Sequence, residues 1–197
     1  KGKTACETPS FSGHSHTSNP PVQNPNAPGF AAGGSSSGSA AAIAAGDITM
    51  ALGCDQGGSV RIPAAWSGIV GLKPTHGLVP YTGAYAMDAT IDHCGPMGAT
   101  VEDIARLLTA IAGPDGLDVR QANVPDTPVN YLDALSDTTA PKRIGLVKQG
   151  FGRPESEADS DALVREAADT FRAAGAVVEE IDLPTHMDCF DVWSAIV

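Results

Sequence analysis

The chain has 197 residues, 12 Lys+Arg against 23 Asp+Glu, and a formal net charge of −11. An acid excess of this size excludes a polyanion binder, because neutralising phosphates or an anionic lipid face requires a basic surface. Its apolar runs are broken by Gly, Pro or Asp well short of the roughly 20 residues that span a bilayer. The expected partner is therefore a small molecule, with no nucleic acid and no membrane.

Residues 1–30 are rich in Ser, Asn, Pro and Gly, which predicts an irregular, tightly turned segment. Gly33 to Gly38 then runs into the Ala-rich stretch Ser39 to Ala45, closed by Gly46: a Gly/Ser loop entering a closely packed, buried helix with a glycine stop. Thr49 to Gly53 suits a strand, Asp55 to Ser59 a sharp turn, and Ile62 to Ser67 another helix. From Ile69 to Gly95 short extended pieces and loops are expected, with Lys73-Pro74 and Val79-Pro80 as local stops. Thr100 caps a helix with Asp103 at its third position, and Val101, Ile104, Leu107, Leu108 and Ile111 follow at helical spacing.

Asp115 to Pro141 is polar and contains prolines, as expected of a surface connection. Strand Arg143 to Val147, amphipathic helix Ser160 to Ala174 and strand Val177 to Leu183 make a βαβ unit with parallel strands. Met187 to Val197 begins an apolar helical segment. The fold class is therefore α/β, a mixed sheet core flanked by helices. One partial domain is expected, with a core at 1–113, a surface connection at 114–141 and a βαβ-type continuation at 142–197.

Cys6, Cys54, Cys94 and Cys189 are widely spaced, without a C-x-x-C pair or a His at ligand spacing. They read as reduced thiols of a cytoplasmic protein, Cys54 and Cys94 in the core, with no metal site. No secretory apolar region follows Lys1.

The informative feature is two Gly/Ser clusters, one holding Ser35 and the other ending in Ser59. Successive glycines let backbone N–H groups converge, and such a nest holds developing negative charge. A Ser59 hydroxyl at the end of Gly57-Gly58-Ser59 would attack a carbonyl while the same turn holds the oxyanion, given a base in reach. The plain alternative is a pair of tight turns with capping serines. Gly34 to Gly38 also fits G-x-S-x-G, but the buried strand of a nucleophile elbow does not precede it. A Walker loop fails because no Gly-Lys-Ser/Thr follows the glycines. His14, His16, His76, His93 and His186 keep a Ser-His-Asp triad open as the rival mechanism.

Gly33-Gly34-Ser35-Ser36-Ser37-Gly38-Ser39, Gly53-Cys54-Asp55-Gln56-Gly57-Gly58-Ser59-Val60-Arg61-Ile62-Pro63-Ala64 and Gly68-Ile69-Val70-Gly71-Leu72-Lys73-Pro74-Thr75 together resemble the amidase signature family. Gly77 to Gly83, with Arg143 to Val147 and Gly150-Phe151-Gly152, looks closest to the bacterial amidases that accompany nitrile hydratase. The resemblance implies Ser59 as nucleophile and Ser35 as a bridging serine after a cis peptide bond. It puts an oxyanion hole on the backbone of Gln56, Gly57, Gly58 and Ser59, with Gly34, Ser36, Asp55 and Arg61 in support. Asp55 and Arg61 are expected to pair and brace the turn.

The family's catalytic Lys lies farther upstream than Lys1 or Lys3. Lys3 and Lys73 match structural segments, so an internal fragment, inactive alone, is expected. The implied reaction turns a carboxylic acid amide into acid and ammonia without metal or organic cofactor, in a possible homodimer. Open alternatives are the glutaminase subunit of a tRNA-dependent amidotransferase and a noncatalytic amide- or anion-binding remnant.

Overall fold

The Gly/Ser loop does feed a helix: α1 spans Ser37–Ala44, with Ser37, Gly38, Ser39, Ala40 and Ile43 buried, and Gly46 beyond it takes the left-handed φ of 78° that a glycine tolerates. The computed structural model describes residues 22–136 and 143–196. These divide into two compact units, one within Lys1–Ser136 and one within Asp137–Val197. Expectations that concern residues 1–21, among them Lys3, Cys6, His14 and His16, lie outside the described residues, as do 137–142 and Val197.

In the first unit, β1 (Met50–Asp55), α2 (Arg61–Ser67), β2 (Val70–Gly71) and β3 (His93–Gly98) follow α1. They build a three-stranded antiparallel sheet in the order β1-β3-β2. β3 runs through Pro96, which has no N–H to donate, but its carbonyl still accepts the Leu72 N–H at 3.0 Å. Register pairs Asp55 with His93 and Cys54 with Cys94. Cys54 and Cys94 are thus half-buried cross-strand neighbours with reduced thiols, rather than fully buried core residues.

Ala40 and Ile43 of α1, Val60, Ala64 of α2 and Met97 of β3 form the core against which the serine loops rest. Small side chains here allow backbones to approach closely. At Gly95, an added Cβ would collide with the Leu72 carbonyl oxygen, a backbone atom that cannot step aside. Gly95→Ala is expected to cost about 3 kcal/mol through this overpacking, read as a lower urea midpoint with an unchanged denaturant slope.

α3 (Val101–Ile111) starts at the predicted capping box. The Thr100 hydroxyl accepts the Asp103 N–H at 3.1 Å, and the Asp103 carboxylate accepts the Thr100 N–H at 3.0 Å. Ile104, Ala105 and Leu108 face inward. Thr100→Ala is expected to cost about 1 kcal/mol, measured as a small drop in melting temperature.

The stretch expected as a surface connection is largely exposed, but it is anchored to this unit at three residues. Asp118 and Arg120 form an ion pair with side chains only 6% and 10% exposed, and the Gln121 amide donates to the carbonyls of Gly77 at 2.8 Å and Gly113 at 3.0 Å. These three polar residues turn inward because each finds a partner there, which a composition argument cannot see.

In the second unit, β4 (Arg143–Val147) and β5 (Val177–Ile181) pair in parallel around α4 (Ala158–Ala173), as the βαβ pattern required. A 3-10 turn at Pro184–Asp188 leads into α5 (Cys189–Ile196). Parallel and antiparallel strands are therefore both present among the described residues, in separate sheets. No described helix is long and apolar enough to cross a membrane.

Candidate active site

Both serines sit where a loop gives way to a helix. Ser59 lies between β1 and α2 and is 6% exposed; Ser35, half-buried, precedes α1. Their loops are joined directly, the Ser36 N–H donating to the Ser59 carbonyl at 3.2 Å. The Gly34–Ser35 peptide is cis, the geometry that the resemblance assigned to this bond.

Each loop has its own anchorage. Ser36 Oγ accepts the Cys54 N–H at 3.3 Å, and Ser39 Oγ donates to the Leu52 carbonyl at 2.8 Å, so the first loop is sewn to β1. Gly53 leaves the room: a Cβ there would come within 2.6 Å of Ser36 Oγ. Upstream, the Asn24 side chain donates to the Trp66 carbonyl at 2.8 Å and Asn26 to that of Ser67 at 2.7 Å. These bonds satisfy orphan carbonyls at the end of α2 and tie the approach to Ser35 to the helix that begins after Ser59.

The turn that carries Ser59 is organised by Asp55, whose side chain is wholly buried. One carboxylate oxygen accepts the Gly58 N–H at 2.7 Å, and the other the Val60 N–H at 3.2 Å. Arg61 grips both oxygens at 3.0 Å, as the bracing expectation required. Burial alone would raise the Asp55 carboxyl; the Arg61 guanidinium and the two backbone N–H groups outweigh it and hold the group below its ordinary value. Gly58 has φ 129°, open to glycine but strained for other residues.

The Gly58 N–H is already donated to Asp55 and is not available to a ligand oxygen. The Gly57 and Ser59 N–H groups carry no such bond among the described residues, and Gly57 is exposed.

Several residues of the site were not singled out from the sequence. The Tyr81 hydroxyl accepts the Gln56 side-chain amide at 3.1 Å. Burial and the neighbouring Cys54 thiol push its phenol upward, so it stays protonated. The Tyr81 N–H donates to Asp118 at 2.8 Å, and the Arg120 guanidinium stands 5.1 Å over its ring. The packed segment around residue 118 thus buttresses the turn through Tyr81 and Gln56. Of the histidines kept open for a triad, His76 hydrogen-bonds the Ala89 carbonyl, His93 bonds Lys73 and the Ile91 carbonyl, and His186 lies in the second unit.

The sequence pattern of the family described as Amidase matches residues 2–197. The chain belongs to the amidase family. It is similar to an enantioselective amidase of Rhodococcus rhodochrous, 50% identical across 99% of this chain and 38% of that protein. It also resembles a glutamyl-tRNA(Gln) amidotransferase subunit of Salinibacter ruber, 45% identical over 93% of this chain and 35% of the relative. Among solved structures, the native peptide amidase of Stenotrophomonas maltophilia superimposes with a TM-score of 0.81 at 37% identity, covering 94% of this chain and 38% of that one. The chain thus spans little more than a third of the length of these amidase-family relatives.

Proposed function

We propose that this chain is the serine-bearing part of a longer amide hydrolase, which converts a small carboxylic acid amide into the acid and ammonia. The observation that carries the reading is the junction of the two Gly/Ser loops, with Ser36 bonded to the Ser59 carbonyl and Asp55 organising the turn between β1 and α2. Ser59 Oγ adds to the amide carbonyl. Its proton passes through the Ser35 hydroxyl to a lysine base supplied from outside the described residues, and the developing oxyanion is met by the Gly57 and Ser59 N–H groups. The tetrahedral intermediate collapses as the nitrogen takes the proton back, giving an acyl-enzyme on Ser59 and free ammonia; water then releases the acid.

The enantioselective and peptide amidases among its relatives support hydrolysis of a simple amide. A second reading, the ammonia-producing component of an amidotransferase, is favoured by the Salinibacter relative. Reduced thiols at Cys54, Cys94 and Cys189 fit a reducing, cytoplasmic setting. The test is to express the whole open reading frame that contains this chain and measure ammonia release from aliphatic and aromatic carboxamides, without added partner. Release from these amides supports the hydrolase. Glutamine-restricted release that needs a partner protein supports the amidotransferase reading, and no release under either condition sinks both.

A further inference from the structure

Beneath the nucleophile turn lies a group of charges that the reaction just described does not use. The Lys73 Nζ stands 3.2 Å from His93 Nε2 and donates to the Pro74 carbonyl at 3.1 Å. His93 Nδ1 lies 2.7 Å from the Ile91 carbonyl. A carbonyl only accepts, so Nδ1 carries the proton, and the neutral ring presents a bare Nε2 to the Lys73 ammonium. His93 opens β3 and is the cross-strand partner of Asp55, the residue that organises the turn. Lys73 approaches from the other edge of the same strand, two residues beyond β2. The main chain needs this help, because Pro74 has no N–H with which to extend the ladder.

We propose that Lys73 and His93 are a positioning pair that clamps the sheet end from which the nucleophile turn departs, and that the clamp holds only while the His93 ring is uncharged. Protonating Nε2 replaces an acceptor by a donor and sets a cation against the Lys73 ammonium. Around the imidazole stand Lys73, the His76 ring at 5.3 Å edge to face, the Ile91 carbonyl, and the Asp55 carboxylate, itself neutralised by Arg61. Burial is the largest influence on the ring, and with Lys73 and His76 it opposes a charged His93. The Ile91 carbonyl and Asp55 favour the charge but do not prevail, so the ring titrates below the ordinary histidine value. Burial and the Arg61 charge also lower Lys73.

The pair acts through Asp55 and its turn, not on substrate, so the experiment reads pH dependence as well as rate. The kinetic arm rests on the amidase reading. In the whole protein, kcat/KM for amide hydrolysis is expected to fall on the acid side with the His93 midpoint. K73M should lower kcat about tenfold with KM unchanged, as misplacement of reacting groups does. H93F should do the same, whereas H93Q, whose amide oxygen accepts the Lys73 proton without titrating, should restore the rate and remove the component of the acid fall that follows the His93 midpoint, leaving the separate fall due to the lysine base. In parallel, 15N NMR of the His93 ring should show an Nδ1–H tautomer, with a midpoint that rises in K73M when the like charge is gone. An H93Q acid profile identical to that of wild type, or a His93 midpoint unmoved by K73M, overturns the clamp. If no variant or wild-type protein releases ammonia, the amidase reading fails, and the NMR arm still decides the clamp.

Discussion

In the whole protein, Ser59→Ala is expected to lower kcat for ammonia release by about ten-thousand-fold or more, because the proposed mechanism forms its acyl bond on the Ser59 hydroxyl oxygen. Folding should be unaffected: the substitution deletes one hydroxyl, and the turn is held by the Ser59 carbonyl and the Asp55 bonds. A melting temperature within a degree or two of wild type would separate lost chemistry from lost structure. Trapping with hydroxylamine sharpens the test, since wild type should yield the hydroxamate from its acyl-enzyme and Ser59→Ala none. Ser35→Ala should also be severe, but it leaves the nucleophile in place and should retain slow acylation. A Ser59→Ala protein with near wild-type turnover would exclude the serine mechanism.

Asp55→Asn carries the largest expected effect on stability. A buried carboxylate here receives Gly58, Val60 and both arms of Arg61, so the amide leaves one acceptor where there were two and turns an NH2 toward donors. Breaking such a pair costs about 3–5 kcal/mol, enough to lower the urea midpoint sharply. Arg61→Met should also be costly, since it leaves the wholly buried Asp55 carboxylate with backbone N–H donors alone and no counter-ion.

The pH dependence has a definite sign. The folded Asp55 carboxyl lies below its unfolded value, so the folded state binds fewer protons and gains stability from the group above the ordinary aspartate value, about 3.9. This contribution disappears as pH falls from that value through the lower folded one. Urea midpoints measured through the acid range should fall more steeply in wild type than in Asp55→Asn. Equal slopes would mean that the carboxylate is not the group holding the turn.

The distance between sequence and structure is uneven, and particular residues show why. The helix at Ser37–Ala44, the Thr100–Asp103 capping box and the parallel β4 and β5 follow from local signals: glycine punctuation, a cap three residues from its partner, and apolar spacing. Ser35 and Ser59 are marked by the glycines beside them, and the pairing of Asp55 with Arg61 needs only a short turn. These features are local in the chain, so a sequence suffices to carry them.

What the sequence could not supply depends on strand register and long-range approach. The 115–136 stretch looks like a solvated connection, because each of its polar groups taken singly prefers water. Asp118, Arg120 and Gln121 become interior residues only through partners as distant as Tyr81 and Gly77. Gly58 was expected to donate to an oxyanion, but the same N–H is within reach of Asp55 once the turn closes, and one proton makes one strong bond. Lys73 and His93 are 20 residues apart in the chain. Only the β1-β3-β2 order, which sets His93 opposite Asp55 with Lys73 across the strand, brings them together. The two serines, their glycines and the local helices and strands are legible in the chain because backbone freedom and periodicity encode them locally. The tertiary structure alone decided which N–H groups stay free and which charges meet, because hydrogen-bond partners are chosen by position in space.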